Sequence, residues 1–252
     1  MPYCLYEGKK LYYSVTGSGK PVVLLHGDAA SSGMFELLLP LYADHFQVVL
    51  LDFLGNGRSD RVESLPVDLW ISQSQQTIAL LEHLKLGKAS LIGTSGGAWV
   101  AINAALARPD LVERVVADSF DGRTLPEDFA QNLLTERAFS KGDLMSRQFY
   151  EWCHGADWEA VVDLNTETLL ACAAQKRPLF HQPLECLQVP VLFLGSLEDT
   201  TCRKDIKEEY GQMERLVPNG RVHLFPTGGH PAMATNAEEA VQIITEFVNE
   251  AE

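Results

Sequence analysis

Between Leu91 and Ala101 the chain reads LIGTSGGAWVA. One serine, Ser95, stands among three glycines, and Gly93-Thr94-Ser95-Gly96-Gly97 fits the pattern G-x-S-x-G. In that pattern a serine rides a very sharp strand-to-helix turn, and glycines two residues before and after leave room for backbones that nearly touch. The turn lifts the hydroxyl above the sheet edge. It also aims the free N–H groups of a helix N-terminus at the space beside it. A serine hydroxyl is a weak nucleophile until a base takes its proton. The histidine best placed to do so is His230, in PTGGHPAM, where Gly228 and Gly229 let the loop turn. His45, His83 and His223 fall on or beside regular elements, and His154 and His181 fall in a helical stretch. An imidazole acting as a base needs an anion to fix its tautomer and stabilise its charged form. Asp199, in FLGSLEDTTC, is the favoured partner, with its neighbour Glu198 as the rival. The chemistry such a set performs is attack on a carbonyl, an acyl-enzyme, and hydrolysis.

The elements that must carry these groups are legible as alternating strands and helices. PVVLLHG (21–27), FQVVLLD (46–52), ASLIG (89–93), ERVVAD (113–118), VPVLFLG (189–195) and RVHLF (221–225) are the expected strands. Several are continuous apolar runs, as expected of parallel strands buried on both faces. Helices are expected over 31–41, 68–86, 97–107, 203–217 and 236–250. The opening residues read as a hairpin around Gly8, able to supply an antiparallel edge. From about Phe120 to Pro183 no buried strand appears, and the segment is helical and rich in aromatic residues. The expected organisation is therefore an α/β core of residues 1–119 and 184–252, with a helical insertion at 120–183.

Taken together these residues resemble the α/β-hydrolase fold superfamily. The parts that carry the resemblance are His26-Gly27 after a strand, Asp52 with Gly55, Gly57 and Ser59 (D-x-x-G-x-G-x-S), the Gly93–Gly97 turn, Asp199 and His230. The order Ser95, Asp199, His230 along the chain is the one expected of that fold. The resemblance implies a mostly parallel sheet with helices on both faces and a helical cap formed by the insertion. It also implies an oxyanion hole made by the backbone N–H groups of Asp28 and Gly96. A carboxylate pointing into that hole would oppose the oxyanion, so the Asp28 side chain is expected to turn away. His26 is read as a support of its loop. The implied activity is that of a serine hydrolase on a small ester, without metal or organic cofactor. Thioesterase, aminopeptidase, carbon–carbon hydrolase and perhydrolase chemistry stay open, as does a small-molecule receptor on the same fold. Aspartate in place of Ser95 would have pointed to dehalogenases or epoxide hydrolases.

Composition narrows the partners. The chain has 252 residues, 46% hydrophobic and 21% charged, within ordinary globular usage. Its 20 basic and 34 acidic residues give a formal net charge of −14. Nucleic-acid binding needs cations against phosphates, so it is not expected, and neither is docking on anionic lipid. A small-molecule substrate is the expected partner, and oligomeric state is not readable. Five cysteines, Cys4, Cys153, Cys172, Cys186 and Cys202, show no CxxC spacing, which argues against a disulfide framework or zinc site. The start of the chain lacks a signal-peptide pattern, and a cytoplasmic location is expected. Cys202, three residues after Asp199, is read as a buried structural thiol, with oxidation sensitivity as the weaker idea. Trp152 and Trp158 are candidates either to line a pocket or to pack the insertion.

Overall fold

A computed structural model describes residues 2–250. Eight strands form one sheet: β1 (Tyr3–Tyr6), β2 (Lys9–Gly17), β3 (Pro21–Leu25), β4 (Gln47–Leu51), β5 (Ala89–Thr94), β6 (Val112–Asp118), β7 (Val191–Ser196) and β8 (Gly220–Phe225). Their order is β1-β2-β4-β3-β5-β6-β7-β8. The opening hairpin pairs antiparallel and joins β4 antiparallel, and the other pairings are parallel. β5 and β7 are buried along their whole length, in keeping with their mostly apolar sequences.

Alternate residues of each strand feed two cores. Val23, Leu25, Val49, Leu51, Leu91, Val115 and Phe193 face one side. There they meet α2 (Leu69–Leu84), α3 (Gly96–Ala107) and α7 (Ile206–Leu216). Val22, Leu24, Val48, Leu50, Ile92, Val116 and Leu192 face the other side. Their partners include α1 (Leu39–Ala43), α8 (Ala232–Thr235) and α9 (Ala237–Asn249). The helix expected over 31–41 is instead two short pieces, a 3-10 turn at Ser32–Phe35 and then α1. Pro40 explains the break. Lacking an N–H and crowding the preceding turn, it belongs at the start of a helix, where α1 places it.

The strand order reverses at β3. β4 lies on one side of it and β5 on the other, so the loops leaving the carboxyl ends of β3 and β5 diverge and open a crevice. Both the Gly27–Asp28 loop and Ser95 stand at that crevice.

Between β6 and β7 the chain forms α4 (Phe129–Gly142), α5 (Leu144–His154) and α6 (Trp158–Ala174). These helices meet the β3 loop through a small cluster of Ala29, Tyr150, Trp158 and Val162. Trp158 is buried and stacks on Tyr150 at 5.7 Å, whereas Trp152 is 46% exposed. Polar contacts complete the docking. Ser31 Oγ donates to the Cys153 carbonyl at 3.0 Å. Arg61 makes a two-pronged ion pair with Asp157. His154 is the central link. Its Nδ1 accepts from the Gly57 N–H at 3.1 Å, so Nε2 carries the proton and donates to the Ala29 carbonyl at 3.0 Å. Burial pulls the pKa of this imidazole down to about 4, keeping it neutral.

Replacing His154 by alanine leaves the buried Ala29 carbonyl and the part-buried Gly57 N–H unpaired, and a loss of about 1–3 kcal/mol in urea unfolding is expected. The pH dependence separates this from mere loss of packing. Below pH 6.5 the unfolded chain takes up a proton at His154 and the folded protein does not until about 4. Native stability is therefore eroded through that window, and the gap between native protein and His154→Ala narrows as pH falls.

Candidate active site

Ser95 joins β5 to α3 with φ 54° and ψ −124°, a conformation in which an L-residue is strained. Close packing forces it. A Cβ on Gly93 would collide with the Gly97 carbonyl, and one on Gly97 with the Leu25 carbonyl. Gly27 is the third such position, where a Cβ would come within 3.0 Å of Ser95 Cβ. Two strands and the start of a helix thus converge where only hydrogens fit between them. The Ser95 N–H is tied to the Asp118 carbonyl at 2.8 Å, which fixes the turn. Among the described residues Ser95 Oγ has no hydrogen-bond partner, and neither do the N–H groups of Asp28 and Gly96.

Asp199 and His230 come from the loops after β7 and β8 and meet directly, Oδ2 to Nδ1 at 2.8 Å. The other carboxylate oxygen of Asp199 accepts from the Thr201 N–H at 2.9 Å, which pins its orientation. Glu198 instead bonds the Gly228 N–H at 3.3 Å and does not reach the imidazole. Burial alone would raise the Asp199 pKa. The hydrogen bond and charge of His230, with the Thr201 N–H, outweigh it and hold the carboxyl below its ordinary range. Burial alone would likewise lower the His230 pKa, but Asp199, Asp118 and Asp121 outweigh it and raise the value. Ser196 Oγ holds the Thr227 carbonyl at 2.9 Å, and Ser119 Oγ accepts from the Ala232 N–H at 2.7 Å. Those two hydroxyls bracket the His230 loop.

The Thr94–Ser95 turn and His230 border the same buried residue, Asp118. Asp118 accepts from Thr94 Oγ1 at 2.8 Å and faces the imidazole. Burial pushes both Asp118 and Asp121 up to about 6. Neither had been singled out in the sequence, although Asp118 ends a parallel strand on the edge where ligands gather. No hydrogen bond links Ser95 to His230 among the described residues, a looseness common in ligand-free sites.

The supporting residues fall into place around this. His26 accepts from the Phe53 N–H through Nε2 at 3.2 Å and bonds the Gly27 carbonyl through Nδ1 at 2.8 Å, bracing two loops. Burial, its largest influence, lowers its pKa. Asp52 accepts from the N–H groups of Ser32 and Arg58 at 2.7 and 2.8 Å. Cys202 lies 3.8 Å from His230 Nδ1, and burial beside Asp199 pushes its thiol well above the ordinary value, so it is a poor nucleophile. The Asp28 side chain lies beside α3, against Gly96, where its carboxylate atoms would be 2.5–2.7 Å from a Cβ on that residue. Trp70 Nε1 draws it there, donating to the two oxygens at 3.1 and 3.3 Å. A glycine at 96 leaves the room it fills.

Comparison with known proteins agrees with this architecture. A model of the alpha/beta hydrolase family matches residues 22–243. The karrikin insensitive 2 receptor CA of Petunia hybrida is 28% identical over 145 residues, 56% of this chain and 54% of the receptor. The chain therefore spans about half the length of that relative. A proline iminopeptidase of Clostridium botulinum is 26% identical over 99% of this chain and 97% of its own. Among solved structures, a meta-cleavage product hydrolase from Pseudomonas fluorescens IP01 superposes with a TM-score of 0.79 at 22% identity, covering 99% of this chain and 98% of that one. No helix among the described residues is long and apolar enough to cross a membrane. The sheet, its reversal at β3 and the matched family model together make this chain a member of the alpha/beta hydrolase family.

Proposed function

We propose that the protein is a serine hydrolase that cleaves a small ester through an acyl-enzyme on Ser95. The observation that carries this reading is the 2.8 Å bond from Asp199 to His230 on the sheet edge where Ser95 is held at φ 54°. In this reading Nε2 of His230 takes the proton of the Ser95 hydroxyl as Oγ attacks the carbonyl carbon. Asp199 keeps the Nδ1 proton in place and stabilises the imidazolium. The unpartnered N–H groups of Asp28 and Gly96 receive the oxyanion, each such donor typically contributing about 3–4 kcal/mol. His230 then protonates the leaving alcohol. Water attacks the acyl-enzyme with the same base, and Ser95 is released. No step calls on a metal or organic cofactor. The helices between β6 and β7, residues 120–183 in the expected division, act as a cap over the crevice. Five free cysteines fit a reducing cytoplasm. The relatives extend the range of bonds to be tested to amides and carbon–carbon bonds.

A second reading, a small-molecule receptor, is favoured by the partial match to the petunia receptor. One experiment separates the two. Short p-nitrophenyl esters with a fluorophosphonate probe are expected to give turnover and an adduct at Ser95, both lost in Ser95→Ala. Ligand binding with no turnover and no adduct would favour the receptor.

The ion pair supplies a further check. Asp199→Asn is expected to lower kcat by about 10³–10⁴-fold, as loss of the tautomer-fixing acid does in such triads.

The pH profile supplies another. With the His230 pKa raised, the base is protonated until above the ordinary histidine value of 6.5. The acid limb of kcat/KM is therefore expected above pH 6.5. In Asp199→Asn the largest influence left is burial, which favours the neutral ring, so the limb moves down.

A further inference from the structure

The Asp28 carboxylate is the feature of the crevice that the ester mechanism leaves unused. It lies against Gly96, whose N–H is one of the two proposed oxyanion donors, and it hangs from the residue that carries the other. Its position is built. Trp70 Nε1 donates to both oxygens, and the Trp70 ring is locked by stacking on Trp99 at 4.3 Å. The Asn165 amide, from α6, faces the same carboxylate.

Arg137, from α4, is the charge that most favours the ionised carboxylate, but it acts at a distance and its hydrogen bonds go elsewhere. Its guanidinium donates to Tyr150 Oη at 2.7 Å, to Glu136 at 3.2 Å and to Asn165 Oδ1 at 3.4 Å. Glu136 balances its charge, and among the described residues Arg137 makes no ion pair with Asp28. One negative charge is left over beside the space where a transition-state oxyanion must form. Burial raises the Asp28 pKa to about 6. His230 titrates higher than an ordinary histidine, so wherever the base is neutral and active, Asp28 is ionised. An uncompensated carboxylate there opposes the chemistry, and a neutral donor on the substrate would leave the charge in place. A cation would remove it.

We infer that the subsite bounded by Asp28, Trp70 and Gly96 takes a protonated amine on the acyl group of the substrate, close to the scissile carbonyl. Because Asp28 contributes both an oxyanion N–H and the carboxylate, the amine stands one or two carbons from that carbonyl. The substrate class is then α- or β-aminoacyl esters or amides, and the inference rests on Ser95 being the nucleophile.

The test is competition against p-nitrophenyl butyrate at pH 7, comparing alanine methyl ester with methyl isobutyrate, which differ in ammonium against methyl. The amine ester is expected to compete at about tenfold lower concentration or better, as for a charge-assisted hydrogen bond. In Asp28→Asn, which keeps the shape and the backbone donor, the ratio between the two competitors is expected to fall toward one. Equal competition in the native protein overturns the inference, and so does a ratio unchanged in Asp28→Asn. Should the variant not fold, Asp28→Ser, which also keeps the backbone donor and removes the charge, decides in the same competition at pH 7. A ratio unchanged in that variant overturns the inference. Absence of both turnover and Ser95 labelling in the native protein would instead be a failure of the hydrolase reading itself.

Discussion

The crossing of three backbones at Ser95 is the constraint on which the site depends. β3, β5 and the first turn of α3 approach until the Leu25 and Gly97 carbonyls occupy the places where side chains of Gly97 and Gly93 would stand. That approach forces Ser95 to positive φ, and positive φ points its side chain out of the sheet while leaving the Gly96 N–H free. The strain of order 1–3 kcal/mol in such a residue is offset by the rest of the core, where both faces of β5 are fully covered. A serine on a relaxed loop would have neither the fixed position nor the adjacent free N–H.

Electrostatics then sets what the position can do. Three acidic groups, Asp118, Asp121 and Asp199, surround one imidazole. Only Asp199 bonds it, and only Asp199 has its pKa lowered. Burial raises the other two, and while ionised they favour the imidazolium through their charge, with no hydrogen bond to it. Cys202 sits within the same field and is kept protonated by it. That arrangement raises the basicity of His230 by a means separate from the hydrogen bond itself.

The fold was legible because its strongest signals are local. Unbroken apolar runs such as VLFLG cannot be half-exposed strands, and the glycines of GTSGG have no use except where backbones touch. The helix read over 31–41 failed at Pro40, where apolar spacing alone does not register a missing N–H. Asp199 was separable from Glu198 only as a preference, because neighbouring acids on a turn differ in direction rather than in type. The place of the Asp28 side chain against Gly96 was not readable for a related reason. Its direction is set by Trp70, distant in sequence, and no spacing rule connects residues 28 and 70. Asp118 and Asp121 were overlooked because their influence is a property of burial, which a linear pattern does not display.

The helices between β6 and β7 are more than a cover in this geometry. His154 holds the Ala29 carbonyl, and Ser31 holds the Cys153 carbonyl, so the loop that begins at Asp28 is fastened to the end of α5 rather than to the sheet alone. The N–H of Asp28 is therefore positioned by two bodies at once, β3 behind it and α5 above it. Gly57 is fastened to the same imidazole, which adds the loop after β4 to the assembly. Any displacement of α5 must pull on Ala29, one residue from the Asp28 N–H. On the proposed reading, that imidazole couples the space beneath the helices to the position of an oxyanion donor.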